Sequence, residues 1–186
     1  MILVCCALEN ESVGFQMRRE EMLLVTGVGK VNAAISLSSN ILFANYNIQA
    51  VVNLGTAGAA DRYIGRIIKP YIFIDGSNYP VELSDHYPNV SFCSKESEFA
   101  CFTNDEFKTH PSAGSIYDME AYALARACQL KGINFYCYKI ISDSGNILEW
   151  NKNLKSSMEK LWHFYYENVY SRLNASIWAN DNKGIR

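Results

Sequence analysis

A chain of 186 residues with 49% hydrophobic and 13% aromatic residues is long and apolar enough to form one domain with a substantial core. This composition argues against a disordered chain and against a fibrous repeat. Its 17 Lys and Arg against 19 Asp and Glu give a net charge of −2, with no dense basic block. Because nucleic acids are bound through a positively charged surface, we expect no nucleic-acid partner, and a small molecule is the better candidate ligand.

The first half of the chain alternates apolar runs of strand length with one helical segment. Residues 2–8 are apolar, and because no Lys or Arg precedes them they predict a core strand rather than a signal peptide. Residues 22–26 predict a second strand, and residues 30–44 have apolar side chains at helical spacing. Residues 50–54 predict a third strand, which is closed by the glycine-rich segment 55–58.

The second half continues this alternation after a less regular stretch. Residues 67–74 predict a fourth strand, in which Pro70 indicates an edge position or a break. The segment 75–112 has Gly and Pro at irregular spacing and predicts loops with a short strand at 98–102. No run approaches the ~20 apolar residues that span a membrane, so no membrane partner is expected. The remaining predicted elements are a helix at 118–131 closed by Gly132, a strand at 135–142 and a terminal helix at 154–173.

The cysteines have neither the C-x-x-C spacing nor the Cys/His spacing of a zinc site. Several lie in apolar stretches, where a reduced cysteine packs as a small hydrophobic side chain. We therefore expect reduced core cysteines, no metal ion and a cytoplasmic location. The six residues are Cys5, Cys6, Cys93, Cys101, Cys128 and Cys137.

Strand–helix alternation predicts a single domain, residues 1–186, with a mostly parallel sheet between two layers of helices. In such sheets ligands bind beyond the carboxyl ends of the strands. Polar or glycine-rich groups follow four of the predicted strands, at 9–11, 27–29, 55–58 and 142–145. These four strand ends predict one site.

Each candidate motif, taken alone, also has a purely structural interpretation. The segment Thr26-Gly27-Val28-Gly29-Lys30 lacks the spacing of a P-loop and is more often a strand-to-helix turn. Residues 55–58 offer backbone N–H groups to an anion or a sugar oxygen, or form a plain turn. A helix start accounts for the charge of Asp118, but less well for that of Glu120. Asp143 follows a mostly apolar strand, where an Asp is either a helix cap or a catalytic acid.

Five short motifs nevertheless occur in one collinear order: Ala7-Leu8-Glu9-Asn10-Glu11, Thr26-Gly27-Val28-Gly29-Lys30-Val31-Asn32-Ala33-Ala34, Asn53-Leu54-Gly55-Thr56-Ala57-Gly58, Asp118-Met119-Glu120-Ala121 and Ile141-Ser142-Asp143. In this order they resemble the nucleoside phosphorylase/nucleosidase superfamily, and within it the 5′-methylthioadenosine/S-adenosylhomocysteine nucleosidases. The resemblance covers roughly residues 1–66 and 100–145. It implies a three-layer α/β/α sandwich around a mixed, mostly parallel twisted sheet, a purine nucleoside as ligand, a homodimer and no cofactor.

The resemblance implies catalytic roles for three carboxyl groups. Asp143 is expected to give a proton to N7 of the purine as the glycosidic bond breaks, with Ser142 holding its orientation. Glu120 is expected to bind the ribose hydroxyls, and Glu11 to hold and polarise the attacking water.

The resemblance also implies substrate contacts. Met119 is expected to line the apolar face of the sugar, Phe107 to stack on the base, and the backbone at Lys108 to read the edge of the base. Thr56 stands where the family usually has Ser, and Lys139 where it usually has Arg near the water. The other expected pocket residues are Leu8, Val28, Ala57 and Gly58.

The chemistry of purine departure calls for these residue types. The sugar becomes electron-poor while negative charge moves onto the base, so a nearby acid lowers the barrier, typically by about 10²–10⁴-fold. Carboxylates around the sugar stabilise the positive charge that develops there. Asp143 has to be protonated near neutral pH, and burial near other carboxylates is expected to raise its pKa in that direction. Glu11 has to remain ionised, so the two carboxyl groups have opposite tasks.

Hydrolysis and phosphorolysis remain alternatives at this point, with hydrolysis favoured. A phosphorylase normally cradles phosphate with Arg near its glycine-rich loops. Here Glu9 and Glu11 occupy the first loop, and no Arg directly flanks residues 55–58. A third possibility is a nucleoside-binding relative without catalysis, because the segments 12–22 and 71–99, which normally help to form the pocket for the 5′ substituent and the dimer contact, are shortened or diverged.

Overall fold

In a computed structural model of the chain the residues described are 1–44, 46–70, 72–76, 99–112 and 114–175. Cys93 and most of the loop-rich segment predicted at 75–112 lie outside them. The described strands are β1 (Ile2–Cys6), β2 (Glu21–Val25), β3 (Ala50–Gly58), β4 (Ile67–Ile68), β5 (Ile72–Asp75), β6 (Ala100–Thr103), β7 (Ser115–Asp118) and β8 (Asn134–Asp143). The helices are α1 (Lys30–Phe43), α2 (Ala121–Lys131) and α3 (Ile147–Phe164), which continues as a π-helix over Tyr165–Tyr170.

The strands form one mixed, mostly parallel sheet, as predicted. From β3, one side of the sheet runs through β1 to β2. On its other side β3 pairs with β8, which pairs with β4, while the end of β3 pairs with β7, followed by β6 and β5. Only the pairs β3–β7 and β4–β8 are antiparallel among the described strands. The long β3 therefore joins both parts of the sheet.

A register shift at the end of β8 determines where Asp143 lies. Ala57 of β3 pairs with Ile141, but Gly58 pairs with Asp143, so Ser142 is an extra residue on β8. Such a bulge re-aims the side chain that follows it and is common beside active sites. It places Asp143 next to Gly58.

The helices cover both faces of the sheet, which confirms the predicted three layers. Side chains alternate along a strand, so Leu3 and Cys5 of β1 pack on one face and Val4 and Cys6 on the other. The first face is covered by α1 and α2, and the second by α3 and its π-helical extension. The predicted core cysteines in the described part of the chain are buried with free thiols. None of the described helices is both long and apolar enough to cross a membrane.

The predicted strand at 67–74 is two strands instead of one. It breaks between Ile68 and Ile72, around Pro70, and the break at this residue is confirmed. The first piece, β4, pairs antiparallel with β8, and the second, β5, pairs parallel with β6. Proline has no N–H for a ladder, so the chain leaves one part of the sheet there and joins the other.

The predicted helix at 118–131 begins too early. Residues 115–118 form β7, which pairs with β6, and α2 starts only at Ala121, after Glu120 at the N-cap position. Ile116 and Tyr117 are types that favour strands, and they pair within the sheet rather than continue the helix. Asp118 is therefore a strand-end residue at the edge where the predicted site lies.

The predicted terminal helix at 154–173 begins too late. It starts at Ile147, because the side chain of Asn146 accepts hydrogen bonds from the N–H groups of Leu148 and Glu149. Asn is a favoured N-cap residue for this reason. The earlier start brings the first turn of α3 close to the end of β8. The aromatic residues of its last turns, such as Trp162 and Tyr165, are buried against the sheet.

Candidate active site

A pocket of about 240 Å³ opens beyond the carboxyl ends of the parallel strands. It is lined from the turns after β1 and β2 and from the ends of β3 and β8, so the four strand ends come together around one pocket. The predicted site residues on its wall are Leu8, Glu11, Val28, Thr56, Ala57, Gly58, Phe107, Met119, Glu120 and Asp143.

Three other predicted site residues do not line this pocket. Lys108 lines a small neighbouring cavity of about 30 Å³, which shares Phe107 and Asp143 with the main one. Ser142 is buried behind Asp143. Lys139 was predicted to contact substrate, but it is 1% exposed and lies within the sheet, paired in register with Gly55.

Glu11 is held by four hydrogen-bond donors. It closes a short turn of 3-10 helix that directly follows β1 and is 4% exposed. The backbone N–H groups of Ala7 and Leu8 donate to its Oε2 at 3.0 and 3.2 Å. The backbone N–H and the hydroxyl of Thr56 both donate to its Oε1 at 3.3 Å. An ionised carboxylate only accepts hydrogen bonds, so this shell suits the charged form.

Asp143 ends β8 and is 1% exposed. Burial raises the pKa of its carboxyl group above the ordinary value, although hydrogen bonds from Gly145, Ser142 and Asn146 oppose that shift. The Gly145 N–H donates to Oδ1 at 2.8 Å, and the Ser142 hydroxyl donates to Oδ2 at 2.9 Å. A side chain at Gly58 would begin 3.2 Å from Oδ1, so the glycine leaves this oxygen uncovered. A buried acid with a raised pKa is what proton donation near neutral pH requires.

Glu120 is the third carboxyl group of the pocket and is 6% exposed. Its Oε1 accepts a hydrogen bond of 2.8 Å from the N–H of Gly29, in the turn between β2 and α1. Gly29 has a φ of +93°, which side-chain-bearing residues rarely adopt, so a glycine is needed to aim this N–H. Burial, followed by the charge of Asp118, raises the pKa of Glu120 to about 7.

The raised pKa of Glu120 predicts a pH dependence of stability. A carboxyl group whose pKa rises on folding, here from 4.5 to about 7, lowers the free energy of unfolding as the pH increases through that interval. We expect Glu120→Gln to be more stable than the wild type at pH 8 and equally stable at pH 4, since Gln keeps the bond from Gly29. Urea denaturation across this pH range measures the difference. Glu9→Gln, the matching change at an exposed glutamate, should leave the pH dependence of stability as in the wild type. If Glu120→Gln also has the wild-type pH dependence, the raised pKa of Glu120 is contradicted.

Asp118 and Lys139 form a buried ion pair below the pocket, with Nζ and Oδ2 2.8 Å apart. Burial disfavours both charges, but the charge of Asp118 and of other nearby groups together raise the pKa of Lys139. The charge of Lys139 and the hydrogen bonds to Asp118 together lower the pKa of Asp118. Thr103 also donates to Asp118 at 2.6 Å, and the N–H of Ala121 at 2.9 Å. Asp118 thus caps α2, as its sequence position suggested, but its main partner is Lys139. This ion pair holds the Lys139 ammonium group beneath the pocket, where a side chain at Gly55 would begin 3.2 Å from its Nζ.

Lys30, which directly follows the glycine-rich turn, is already paired with two carboxylates. Lys30 contacts Asp75 at 2.7 Å and Asp105 at 3.2 Å. Among the described residues, those that line the main pocket include no Lys or Arg. No group of three His, Cys, Asp or Glu side chains in the described ranges is arranged to hold a metal ion.

Known structures share this architecture, although no model of a protein family and no curated protein matches the sequence. The 5′-methylthioadenosine/S-adenosylhomocysteine nucleosidase of Helicobacter pylori is 16% identical, with a TM-score of 0.68 over 89% of this chain and 96% of that one. The futalosine hydrolase of Helicobacter pylori has the same identity and TM-score over 89% and 95%. The nucleosidase of Neisseria meningitidis is 18% identical, with a TM-score of 0.69 over 91% and 98%. The chain has the nucleosidase fold.

Within this nucleosidase fold, part of the pocket wall escaped prediction. Tyr117 and Asp118 come from β7, and Ile147 and Trp150 from the first turn of α3. The signal for the second pair was Asn146 followed three residues later by Glu149, a spacing typical of a helix N-terminus. It places Trp150 close to the end of β8, where its indole N–H donates to the Thr56 hydroxyl at 3.0 Å.

Proposed function

We propose that this chain hydrolyses the N-ribosidic bond of a purine nucleoside. The observation that carries the proposal is the spacing of Asp143 and Glu11 along β3. Glu11 is bonded to Thr56, and Asp143 lies beside Gly58. Two residues of a strand span about 6–7 Å. The residues of β3 that the two carboxyl groups contact are therefore about as far apart as the carboxyl groups of inverting glycosidases, about 6.5–9.5 Å, a gap that leaves room for the attacking water.

Asp143 is the proposed general acid. As the bond to the sugar breaks, its electron pair moves onto the purine, and the proton of Asp143 passes to N7, so the base leaves neutral. Ser142, which donates to Oδ2, fixes the carboxyl group in one orientation. The raised pKa of Asp143 supports this role, since a carboxyl group of ordinary pKa would carry too little proton at neutral pH.

Glu11 and Glu120 are the proposed partners of the sugar. Glu11 holds the water that adds to the anomeric carbon and takes up its proton as the new C–O bond forms. Glu120 accepts hydrogen bonds from the ribose hydroxyls, and Met119 beside it covers the apolar face of the sugar. Both side chains are nearly fully buried, and their negative charge stabilises the cationic sugar. Phe107 lines the same small cavity as Asp143, and its proposed role is to stack on the base.

The charge of the pocket favours water over phosphate as the nucleophile. Its wall carries four acidic side chains, and the described residues that form it include neither Lys nor Arg. A bound phosphate would face this negative charge without a cationic partner. Fold relatives point to the substrate class: they are named as nucleosidases of 5′-methylthioadenosine and S-adenosylhomocysteine and as a futalosine hydrolase. We propose one of these nucleosides or a close relative as substrate.

A panel of purine nucleosides tests the proposal. The purified chain is incubated with each nucleoside, with and without inorganic phosphate, and free base and free sugar are measured. Release of base with free ribose, at a rate that phosphate does not change, is expected. Ribose 1-phosphate among the products would establish a phosphorylase instead. If calorimetry detects binding of nucleoside but no base is released under either condition, the chain is a binding protein.

We also propose that the chain forms a homodimer in a reducing, cytoplasmic environment. Helix α1 exposes an apolar row, Val31, Ile35 and Leu42, and begins next to Val28 of the pocket wall. Contiguous apolar surface of this kind is typical of protein contacts. Light scattering after size exclusion should give twice the mass of 21.0 kDa. Ile35→Glu should shift the mass towards that of the monomer, whereas a wild-type protein that elutes as a monomer would rule the dimer out.

A further inference from the structure

Trp150 belongs to the pocket but has no part in the proposed chemistry so far. It lies on the first turn of α3, and its side chain is half-buried in the pocket wall. Its indole N–H donates to the Thr56 hydroxyl at 3.0 Å, and that hydroxyl is 3.3 Å from Oε1 of Glu11. Three side chains from α3, β3 and the turn after β1 are thus linked in one row.

The direction of the hydrogen bonds in this row is determined by chemistry. An indole N–H can only donate, and an ionised carboxylate can only accept. The Thr56 oxygen must therefore accept from Trp150, which leaves its single proton to be donated to Glu11. With the indole in place, the hydroxyl has one orientation in which both neighbours are satisfied.

This matters because the Thr56 hydroxyl is the one movable donor among the four described for Glu11. The other three are backbone N–H groups of Ala7, Leu8 and Thr56, and the main chain fixes their directions. A hydroxyl rotates freely about its C–O bond unless a neighbour holds it. Trp150 is the neighbour that holds it.

We propose that Trp150 is a positioning residue that acts through the Thr56 hydroxyl to keep the Glu11 carboxylate in the orientation that receives the proton of the attacking water. This inference rests on the proposed hydrolysis. Glu11 is effective only if one of its oxygens faces the water, and small misplacements of reacting groups are costly in rate. Losing the indole N–H frees the Thr56 hydroxyl to turn its proton towards the water or solvent, so Oε1 keeps only the N–H of Thr56 as a donor and the carboxylate is held less firmly.

A double-mutant cycle on turnover is the first test. Trp150→Phe keeps an aromatic wall but removes the donor, and Thr56→Val removes the hydroxyl at similar shape. Each single variant should lower kcat about 10-fold, the effect of one hydrogen bond of typical strength, with KM changed by less than about 2-fold. The double variant should be no slower than Thr56→Val, because Trp150 acts only through that hydroxyl. Thr56→Ser should retain most of kcat. Leu148→Ala, at an exposed position of the same helical turn, is the matched control and should behave as wild type.

Two kinetic outcomes would overturn the proposal. One is a kcat of Trp150→Phe equal to that of the wild type. The other is a double variant whose loss is the product of the two single losses, which would make Trp150 a wall residue independent of Thr56. A rise in KM with unchanged kcat would lead to the same conclusion, since that is the mark of substrate contact alone.

The hydrogen-bonded row can also be observed without turnover, by the indole N–H resonances in proton–nitrogen NMR. Trp150→Phe assigns the Trp150 signal by its loss. That signal should move upfield in Thr56→Val and should also shift in Glu11→Gln. In Thr56→Val the indole signal of Trp162 is the internal reference, since that indole donates to the main-chain oxygen of Glu11 at 2.7 Å. An unmoved Trp150 signal in both variants overturns the positioning role. If the wild type releases no base from any nucleoside, the proposed hydrolysis fails, yet the NMR shifts still decide whether Trp150 orders Glu11.

Discussion

Replacing Asp143 by Asn should reduce base release by at least about 10²–10⁴-fold, the usual contribution of a general acid. The amide carries no proton acidic enough to transfer, so the purine would have to leave as an anion. The fold should persist, because the Asn oxygen can still accept from the Gly145 N–H and the Asn amide can donate to the Ser142 hydroxyl. Single-turnover measurement of base release, with substrate binding followed by calorimetry, separates lost chemistry from lost affinity.

A control variant and a pH series make this test specific. Asp61→Asn makes the same chemical change at an exposed position outside the pocket and should leave the rate unaltered. In the wild type, the rate should fall as the pH rises through the raised pKa of Asp143, since only the protonated carboxyl group donates. That alkaline limb should be absent from the residual activity of Asp143→Asn. Near-normal turnover by the variant would remove Asp143 from the mechanism.

The sheet and the location of the pocket were predictable because they follow from local patterns. Apolar runs ending in Glu11, in Gly58 and in Asp143 mark strands whose polar residues come at the carboxyl end, and parallel strands bring those ends together. Burial of both strand faces by helices leaves few other places for such residues. Glu11, Glu120 and Asp143, three of the four acidic residues on the pocket wall, were predicted from the order of the motifs and the family resemblance that this order carries.

The role of Lys139 could not be predicted, because its partner Asp118 ends β7, a strand that the sequence pattern does not predict. Asp118 reads as the start of a helix, since acidic residues are common there, and only the pairing of β7 with β6 shows that it ends a strand. Trp150 escaped for a related reason: the apolar periodicity of α3 is clear only after its first turn, so the capping residue Asn146 was the sole local sign of an earlier start. In both cases a contact between residues far apart in the sequence determines where the side chain lies, and the local sequence pattern does not predict that contact.

The buried pair of Asp118 and Lys139 leads to the largest expected change in stability. Lys139→Met should lower the free energy of unfolding by about 3–5 kcal/mol, because it leaves a carboxylate inside the protein without its counter-charge. Methionine fits the space of the lysine stem, so the loss comes from the charge rather than from a cavity. The exposed Lys155→Met is the matched control and should stay within about 0.5 kcal/mol of the wild type.

The pH dependence of this loss identifies its cause. In the wild type Asp118 has a lowered pKa and stays ionised. In Lys139→Met burial is opposed only by the hydrogen bonds from Thr103 and Ala121 and should raise that pKa. Asp118 can then take up a proton at low pH, so the destabilisation measured by urea denaturation should be smaller at pH 5 than at pH 8. A loss that is the same at both pH values would point to packing instead.

Neutralising both members of the pair should recover most of the stability. Asp118→Asn combined with Lys139→Met leaves neither member of the pair charged, and the Asn oxygen can still accept from the Thr103 hydroxyl. Its activity should nevertheless stay impaired, with a changed pH profile. Asp118 raises the pKa of Glu120 more strongly than Lys139 lowers it, so removing both charges should lower that pKa. Recovered stability with an altered pH dependence of activity would show that the pair serves the charge state of the pocket and not the stability of the fold. A double variant as unstable as Lys139→Met alone would show that the pair is needed for folding itself.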